Sequence, residues 1–453
     1  MTSDETRALL QDAAARAINY LEKLDEQPVF PKAEDIAPLE KALEKPLPSG
    51  PSSGAEIIAF LDEVGAPATV ANAGGRYFGF VTGGALPQTV AASWLASAWD
   101  QNSFGRISSP AIALIEDAAL GWLKEALAIS GEAEGALVTG ATMANFTCLA
   151  AARHRMLAEA GWDVEKQGMF GAPEITVIVG KEVHATVLKV LGLLGLGRER
   201  VEIVEVDGQG RMRAEFLPKI NGPAIICLQA GNVKSGAFDP ALDIVPHAKA
   251  RGAWVHVDGA FGLWAKTSDK LKHLAEGFEG ADSWATDAHK WLNVPYDCGA
   301  AFVRDKKALQ NAMSISGSYL LLGAQRDAID VTPDSSRRAR AIEVWVALKA
   351  LGKTGLAELV ERNCAQARWM AGKLQDAGFE VLNEVVLNQV VVSFGSNEKT
   401  AEVIKNLQSS GDCWCGGTTW QGRDAMRISF SSWATTVEDM QITLAAILKA
   451  AKA

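Results

Sequence analysis

From Ile112 to Val303 short apolar runs alternate with helical stretches, and no other feature constrains the fold as tightly. The apolar runs predict strands at 136–139, 175–179, 201–206, 224–228, 254–258, 283–286 and 300–303. Between them, helices are predicted at 112–127, from the GATMAN turn to Arg155, at 185–194, at 241–251 and at 271–278. Strands that read as continuous apolar runs belong to a sheet covered on both faces, and strand–helix alternation makes that sheet mostly parallel. After residue 350 the pattern changes. A helix at 337–351 is followed by a helix at 356–377, strands at 379–382 and 390–394, a helix at 399–409, a strand at 427–430 and a last helix at 437–449. This is the pattern of a smaller α+β domain. The chain therefore reads as an N-terminal helical arm (1–75), a large α/β domain (76–350) and a small C-terminal domain (351–453). In the arm, a helix over 2–26 takes Ser3 as its cap. A proline-rich extended linker covers 27–54, and helices follow at 55–64 and 88–97.

Composition narrows the function classes. The 453 residues are 48% hydrophobic, enough for more than one core. A net charge of -10 argues against a nucleic-acid partner. No apolar run approaches a bilayer span, and the acidic, amphipathic start is unlike a signal peptide. The six cysteines are scattered, and Cys413 and Cys415 lack metal or redox spacing, so a reducing, cytoplasmic setting is expected. A long arm on a chain of this kind is expected to pack on a second subunit.

The chemistry concentrates between His256 and Asn293. Asp258 ends one apolar run and Lys290 follows a second, which brings both to one edge of the sheet, where α/β proteins bind ligands. A carboxylate for a pyridine nitrogen and a lysine for an aldehyde are what pyridoxal phosphate requires. Taken alone, Asp258 could merely cap a turn and Lys290 could be a surface lysine. The loop from Val138 to Asn145 has small residues between a strand and a helix, which suits an anion at a helix start. It matches neither nucleotide-binding glycine pattern. His184 sits at another strand-to-helix switch, where a flat imidazole can stack on a flat cofactor. His289, beside the lysine, is placed to donate to a phosphate. The remaining histidines read as structural.

These residues together resemble the group II pyridoxal-phosphate-dependent amino acid decarboxylases, which include aromatic amino acid, histidine and glutamate decarboxylases. The most specific segments are HVDGAFG, ADSWATDAHKWLNVPYDCGAAFV and GATMANFTCLAAAR, and the likeness runs from about Arg76 to Glu438. It implies fold type I, the aspartate aminotransferase-like fold, and pyridoxal 5'-phosphate as cofactor. Lys290 then matches the Schiff-base lysine, and Asp258 the partner of the ring nitrogen, with Ala260 beneath the ring. His184 matches the stacking histidine. Gly140, Ala141, Thr142 and Asn145, aided by His289, match the phosphate loop. Asn232 matches a polar residue near the cofactor, and Asp287 a supporting side chain. Tyr319 matches the tyrosine that returns a proton to the substrate carbon, where phenylalanine goes with aldehyde-forming chemistry. Arg427 matches an arginine that engages the substrate carboxylate.

The same resemblance places Tyr77, Phe78 and Phe80 near the substrate, joined by Phe104, and favours an aromatic L-amino acid over an acidic one. It implies a homodimer with the site near the subunit interface. Two other readings remain at this stage: a different fold type I enzyme, either a carbon–carbon lyase or an aminotransferase, and a catalytically silent scaffold.

Overall fold

The computed structural model describes residues 2–314 and 326–452, which group into two compact units. The larger unit holds residues 83–369 and 383–390. Its strands are β1 (Glu134–Val138), β2 (Thr176–Gly180), β3 (Val201–Val204), β4 (Ala224–Gln229), β5 (Trp254–Asp258), β6 (Ser283–Asp287) and β7 (Gly299–Val303), in the order β1-β7-β6-β5-β4-β2-β3. The run β6-β5-β4-β2-β3 is parallel throughout. Only β7 is reversed, pairing antiparallel with both β1 and β6. The expected mostly parallel α/β sheet is therefore present.

The strands are apolar because both faces are covered. Every residue of β4, β5, β6 and β7 is buried. Valine and isoleucine suit such strands, since branched side chains fit a pleated surface, and each buried one contributes about 1.5–3 kcal/mol. Helix α6 (Ala141–Glu159) packs on β1, β5, β6 and β7, and its Ala144, Cys148, Leu149, Ala151 and Ala152 join the core. Buried tryptophans keep their indole N–H bonded: Trp284 donates to the Phe278 carbonyl at 2.8 Å, and Trp291 to Asn363 Oδ1 at 2.9 Å.

Two sequence expectations fail in this unit. The stretch 271–278 forms short 3₁₀ turns at Lys272–Ala275 and Phe278–Gly280, not a helix, because Gly277 takes φ 88° between them. The helix expected from Arg337 begins at Ala341. Arg337 is instead spent on the interior, its guanidinium buried against Glu116 at 3.2 Å and the Leu137 carbonyl at 2.8 Å.

The smaller unit comprises residues 2–82, 370–382 and 391–452. A four-stranded sheet, Gly416–Trp420, Arg423–Ser429, Gln389–Ser393 and Glu380–Val381 in that order, falls in this unit except for residues 389 and 390, and the unit also holds helices Asn397–Ser410 and Val437–Lys452. The Gly416–Trp420 strand escapes sequence reading because two glycines open it. The N-terminal helix, Ser3–Glu22, is capped by Thr2, not Ser3. Thr2 Oγ1 accepts from Glu5 N–H at 3.3 Å, and the Glu5 carboxylate accepts from Thr2 N–H at 2.6 Å. The stretch expected to be an extended linker contains a helix, Ala33–Leu43, which continues through Pro38 although that residue lacks an N–H.

Candidate active site

The carboxyl ends of β1, β2, β4, β5 and β6 surround one cavity of about 430 Å³, within the usual range for small-molecule sites. The β1–α6 turn contributes Thr139 to Met143, and β2 contributes His184 and Thr186. Strand β4 adds Gln229, Gly231 and Val233. Strand β5 adds Asp258, Ala260 and Phe261, and β6 adds Asp287, His289, Lys290 and Tyr296.

The start of α6 lines the cavity. Gly140 precedes it at φ 156°, in a region closed to other residues, and a Cβ there would stand 3.1 Å from His289 Cε1. The Gly140 carbonyl accepts from Met143 and Ala144 N–H. Met143 N–H is thereby engaged, and a helix start offers its remaining amides, here Thr142 N–H, to an anion. Ala141 N–H donates to Asp287 Oδ1 at 2.5 Å. His289 Nδ1 accepts from Cys298 N–H at 3.1 Å, so the neutral ring carries its proton on Nε2. Burial pushes this imidazole below its ordinary range, with Asp287 opposing.

Lys290 Nζ lies 3.0 Å from Asp287 Oδ2, and Asp287 is almost fully buried. One carboxylate thus ties the lysine to the start of α6. The backbone of Lys290 is fixed by a glycine in close approach: a Cβ on Gly83 would fall 1.6 Å from the Lys290 carbonyl oxygen. His184 caps the helix Ala185–Leu193, with Nδ1 accepting from Thr186 N–H at 3.4 Å and lying 2.7 Å from Thr186 Oγ1.

Asp258 ends β5 and is 7% exposed. Its Oδ1 accepts from Ala260 N–H and its Oδ2 from Asn145 Nδ2, each at 3.2 Å. This corrects the sequence grouping of Asn145 with the phosphate loop. Asn145 is fully buried one turn into α6, where its side chain turns away from the loop to bond Asp258 and His256. Asn232 is also withdrawn: its Oδ1 accepts from Lys234 and Ser235 N–H, while Gly231 and Val233 face the cavity in its place. Phe104 is half-buried and does not line the cavity. Phe80 and Arg427 belong to the smaller unit. Phe80 is 64% exposed with its ring 5.5 Å from Trp414, which also stacks on Tyr77 at 5.1 Å. Arg427 lies on the Arg423–Ser429 strand, where burial lowers its basicity. Tyr319 lies outside the described residues.

Two residues of the larger unit were missed from sequence. Tyr296 lines the cavity with its ring 4.4 Å from His289, and a lone tyrosine after a proline carried no periodic signal. His256, set aside as structural, contacts Asn145 behind Asp258. The available signal was period two, since Trp254, His256 and Asp258 share one face of β5.

His256 also makes a stability prediction. Burial drops its pKa from 6.5 to about 3. Below about 6.5 the unfolded chain takes up a proton on this ring that the folded chain refuses until about 3, so this residue's contribution is lost as pH falls through that window. His256→Gln is expected to reduce the pH slope of unfolding free energy by a single proton there. Urea titrations at several pH values measure it, and an unchanged slope contradicts a neutral buried ring.

A lysine and a carboxylate flanking a donor-rich helix start define an α/β protein built to hold a flat, phosphorylated aldehyde cofactor. The cavity lining brings together the start of α6, the Asp258 carboxylate, the Lys290 amine and a small side chain, Ala260, so the residues present fit pyridoxal 5'-phosphate. The chain belongs to the pyridoxal-dependent decarboxylase family, whose conserved-domain model matches residues 55–395. It is 31% identical over 324 residues to the acidic amino acid decarboxylase of Bos taurus, covering 68% of this chain and 61% of that protein. The match therefore spans less than two thirds of that relative's length. It is 30% identical over 391 residues to the aromatic-L-amino-acid decarboxylase of Drosophila lebanonensis, covering 80% of this chain and 94% of that one. Among solved structures, Oryza sativa TDC with PLP and tryptamine superposes with a TM-score of 0.90 at 21% identity, covering 100% of this chain and 98% of that one. Mouse CSAD gives 0.90 at 22%, covering 98% of each chain.

Proposed function

We propose that this chain is a pyridoxal-phosphate-dependent carboxy-lyase that converts an L-amino acid with an aromatic side chain to its amine and CO2. The observation that carries this reading is the shared cavity: Lys290, Asp258, His184 and the start of α6 all line it. When bound, the cofactor supplies an aldehyde for the substrate amine and a ring that takes up the electrons left by departing CO2. Lys290 would hold the cofactor's aldehyde through its amine. The start of α6, through Thr142 N–H, and His289 Nε2–H would hold the phosphate. Asp258 would hold the ring nitrogen. His184 covers the ring face, holds substrate against it and keeps water out. Tyr319 returns the proton to the substrate carbon, and Arg427 orients the carboxylate. Asn232 acts through the turn it braces. The family resemblance, which puts Phe80 and Phe104 near the substrate, favours a flat, apolar side chain.

An acidic amino acid is the second reading, favoured by the likeness to acidic amino acid decarboxylases. The test is a panel of aromatic and acidic L-amino acids carrying labelled carboxyl groups. Labelled CO2 from the aromatic members is expected, and release from only the acidic ones selects the second reading. No CO2 from any member would sink decarboxylation and leave the lyase and aminotransferase readings. Tyr319→Phe is expected to slow amine formation and let a carbonyl product appear; unchanged amine output removes Tyr319 from the proton return. The reading extends to a homodimer in the cytoplasm, a setting supported by six buried, unbridged cysteines. Sedimentation of the loaded protein tests the dimer.

A further inference from the structure

Behind Asp258 runs a buried chain of side chains that the reaction described above does not use. Trp254 Nε1 lies 2.9 Å from Ser283 Oγ, which lies 2.9 Å from His256 Nδ1. His256 Nε2 is 2.9 Å from Asn145 Oδ1, and Asn145 Nδ2 is 3.2 Å from Asp258 Oδ2. The backbone sets this up. Trp254, His256 and Asp258 alternate onto one face of β5, the parallel pairing puts Ser283 of β6 directly beside His256, and α6 lays Asn145 across that face.

The direction of every bond follows from the two ends. A carboxylate can only accept, so Asn145 turns its amino group to Asp258 and its Oδ1 to His256 Nε2; at the other end an indole nitrogen can only donate, so Ser283 Oγ accepts from Trp254 and keeps a second lone pair and its own proton available for His256 Nδ1. His256 is neutral, pushed to about 3 by burial, so it has a single ring proton, and that proton must sit on Nε2. Nε2–H donates to Asn145 Oδ1, which leaves the Asn145 amino group facing Asp258. At the other end the carboxylate accepts from Asn145 and from Ala260. The carboxylate end sets the sense, which leaves Nδ1 as the acceptor of the Ser283 proton; the Trp254 end is compatible with it, and no member is left with two donors or two acceptors face to face. Were the histidine proton on Nδ1, Asn145 would have to flip and present its carbonyl to the carboxylate, and a satisfied contact would become repulsive.

We infer that Trp254, Ser283, His256 and Asn145 are positioning residues, a one-way donor relay that fixes the Asn145 amide and so aims the Asp258 carboxylate at the cofactor's ring nitrogen. The inference rests on the assignment of Asp258 as that nitrogen's partner. None of the four relay residues lines the cavity, so their effect reaches the cofactor only through Asp258.

The test uses the full-length protein loaded with pyridoxal 5'-phosphate, with ¹⁵N-labelled histidine. The His256 signals, assigned by their loss in His256→Gln, are expected to show a neutral ring protonated on Nε2. A ring protonated on Nδ1 overturns the relay whatever any variant does. Ser283→Ala removes the donor to Nδ1 and is expected to change the ring signals. It should weaken cofactor affinity, read from absorbance titration, by about tenfold, and lower kcat about tenfold with the amino acid KM little changed. Ser283→Thr keeps the hydroxyl and is expected to restore both. A merely structural serine would lower thermal stability and leave ring signals, affinity and kcat of the folded fraction alone, and that result overturns the relay. Asp258→Asn separates the two readings. If it abolishes turnover while Ser283→Ala does nothing, the relay fails and the carboxylate's role stands. If it leaves cofactor affinity and turnover unchanged, the underlying assignment fails.

Discussion

Lys290→Ala is expected to yield a protein that folds, no longer shows the visible band of the lysine-bound cofactor, and turns over roughly 10³-fold more slowly or worse. The argument is geometric. Lys290 is the only amine lining the cavity among the described residues, and its Nζ is held 3.0 Å from a buried carboxylate. Alanine removes both the nucleophile and the partner of Asp287. Because Asp287 keeps its Ala141 N–H donor but loses its cation, a stability cost of about 3–5 kcal/mol accompanies the loss of activity. The double variant Lys290→Ala with Asp287→Asn separates the effects: denaturant midpoints should recover while turnover stays absent. A Lys290→Ala enzyme that retains its visible band and its activity would overturn the site assignment.

Asp258→Asn is the second large effect. Asparagine has the same shape, so β5 and its neighbours should pack as before. Its amide, however, cannot accept at every position the carboxylate now occupies. Either its amino group meets the Asn145 amino group or the Ala260 N–H, or its carbonyl is turned to one of them and the amino group to the ring nitrogen. In each arrangement the negative charge at the ring nitrogen is gone. Loss of a preorganised charge of this kind costs about 10²–10³ in kcat. The measurement is kcat at saturating cofactor, with circular dichroism as the check on folding. Near-normal turnover would remove Asp258 from the chemistry.

Much of this site was legible in the sequence because the strands that carry it are short, apolar and bounded by turn residues. The strand at 254–258 matched residue for residue, and Asp258, Lys290, His184, His289 and the Gly140–Thr142 turn all line one cavity. What sequence could not show was side-chain direction and pairing sense. Asn145 looked like part of an anion loop because it is close to Gly140 in the chain, yet a position one turn into a helix points elsewhere. The reversal of β7 between β1 and β6 leaves no mark on local composition, because an apolar run reads the same in either direction. The helix Ala33–Leu43 was hidden by flanking and internal prolines, although its alanines, glutamates and leucines favour it. His256 was passed over because one histidine in an apolar strand is usually inert, and its partners come from the register with Ser283 and from Asn145 on α6.

The alternation along β5 reaches beyond chemistry. Its two faces carry unlike cargo: tryptophan, histidine and aspartate on one, Val255 and Val257 on the other. A slip of β5 by a single residue against β4 and β6 would swap the faces at every position. The histidine and the carboxylate would then enter apolar surroundings without donors or acceptors, at about 1–3 kcal/mol for each stranded group. A strand of valines alone would lack that safeguard, since either register would bury similar surfaces. The polar residues of the site thus proofread the assembly of the sheet that displays them, and a variant that removes them for the sake of stability would risk admitting misregistered sheets.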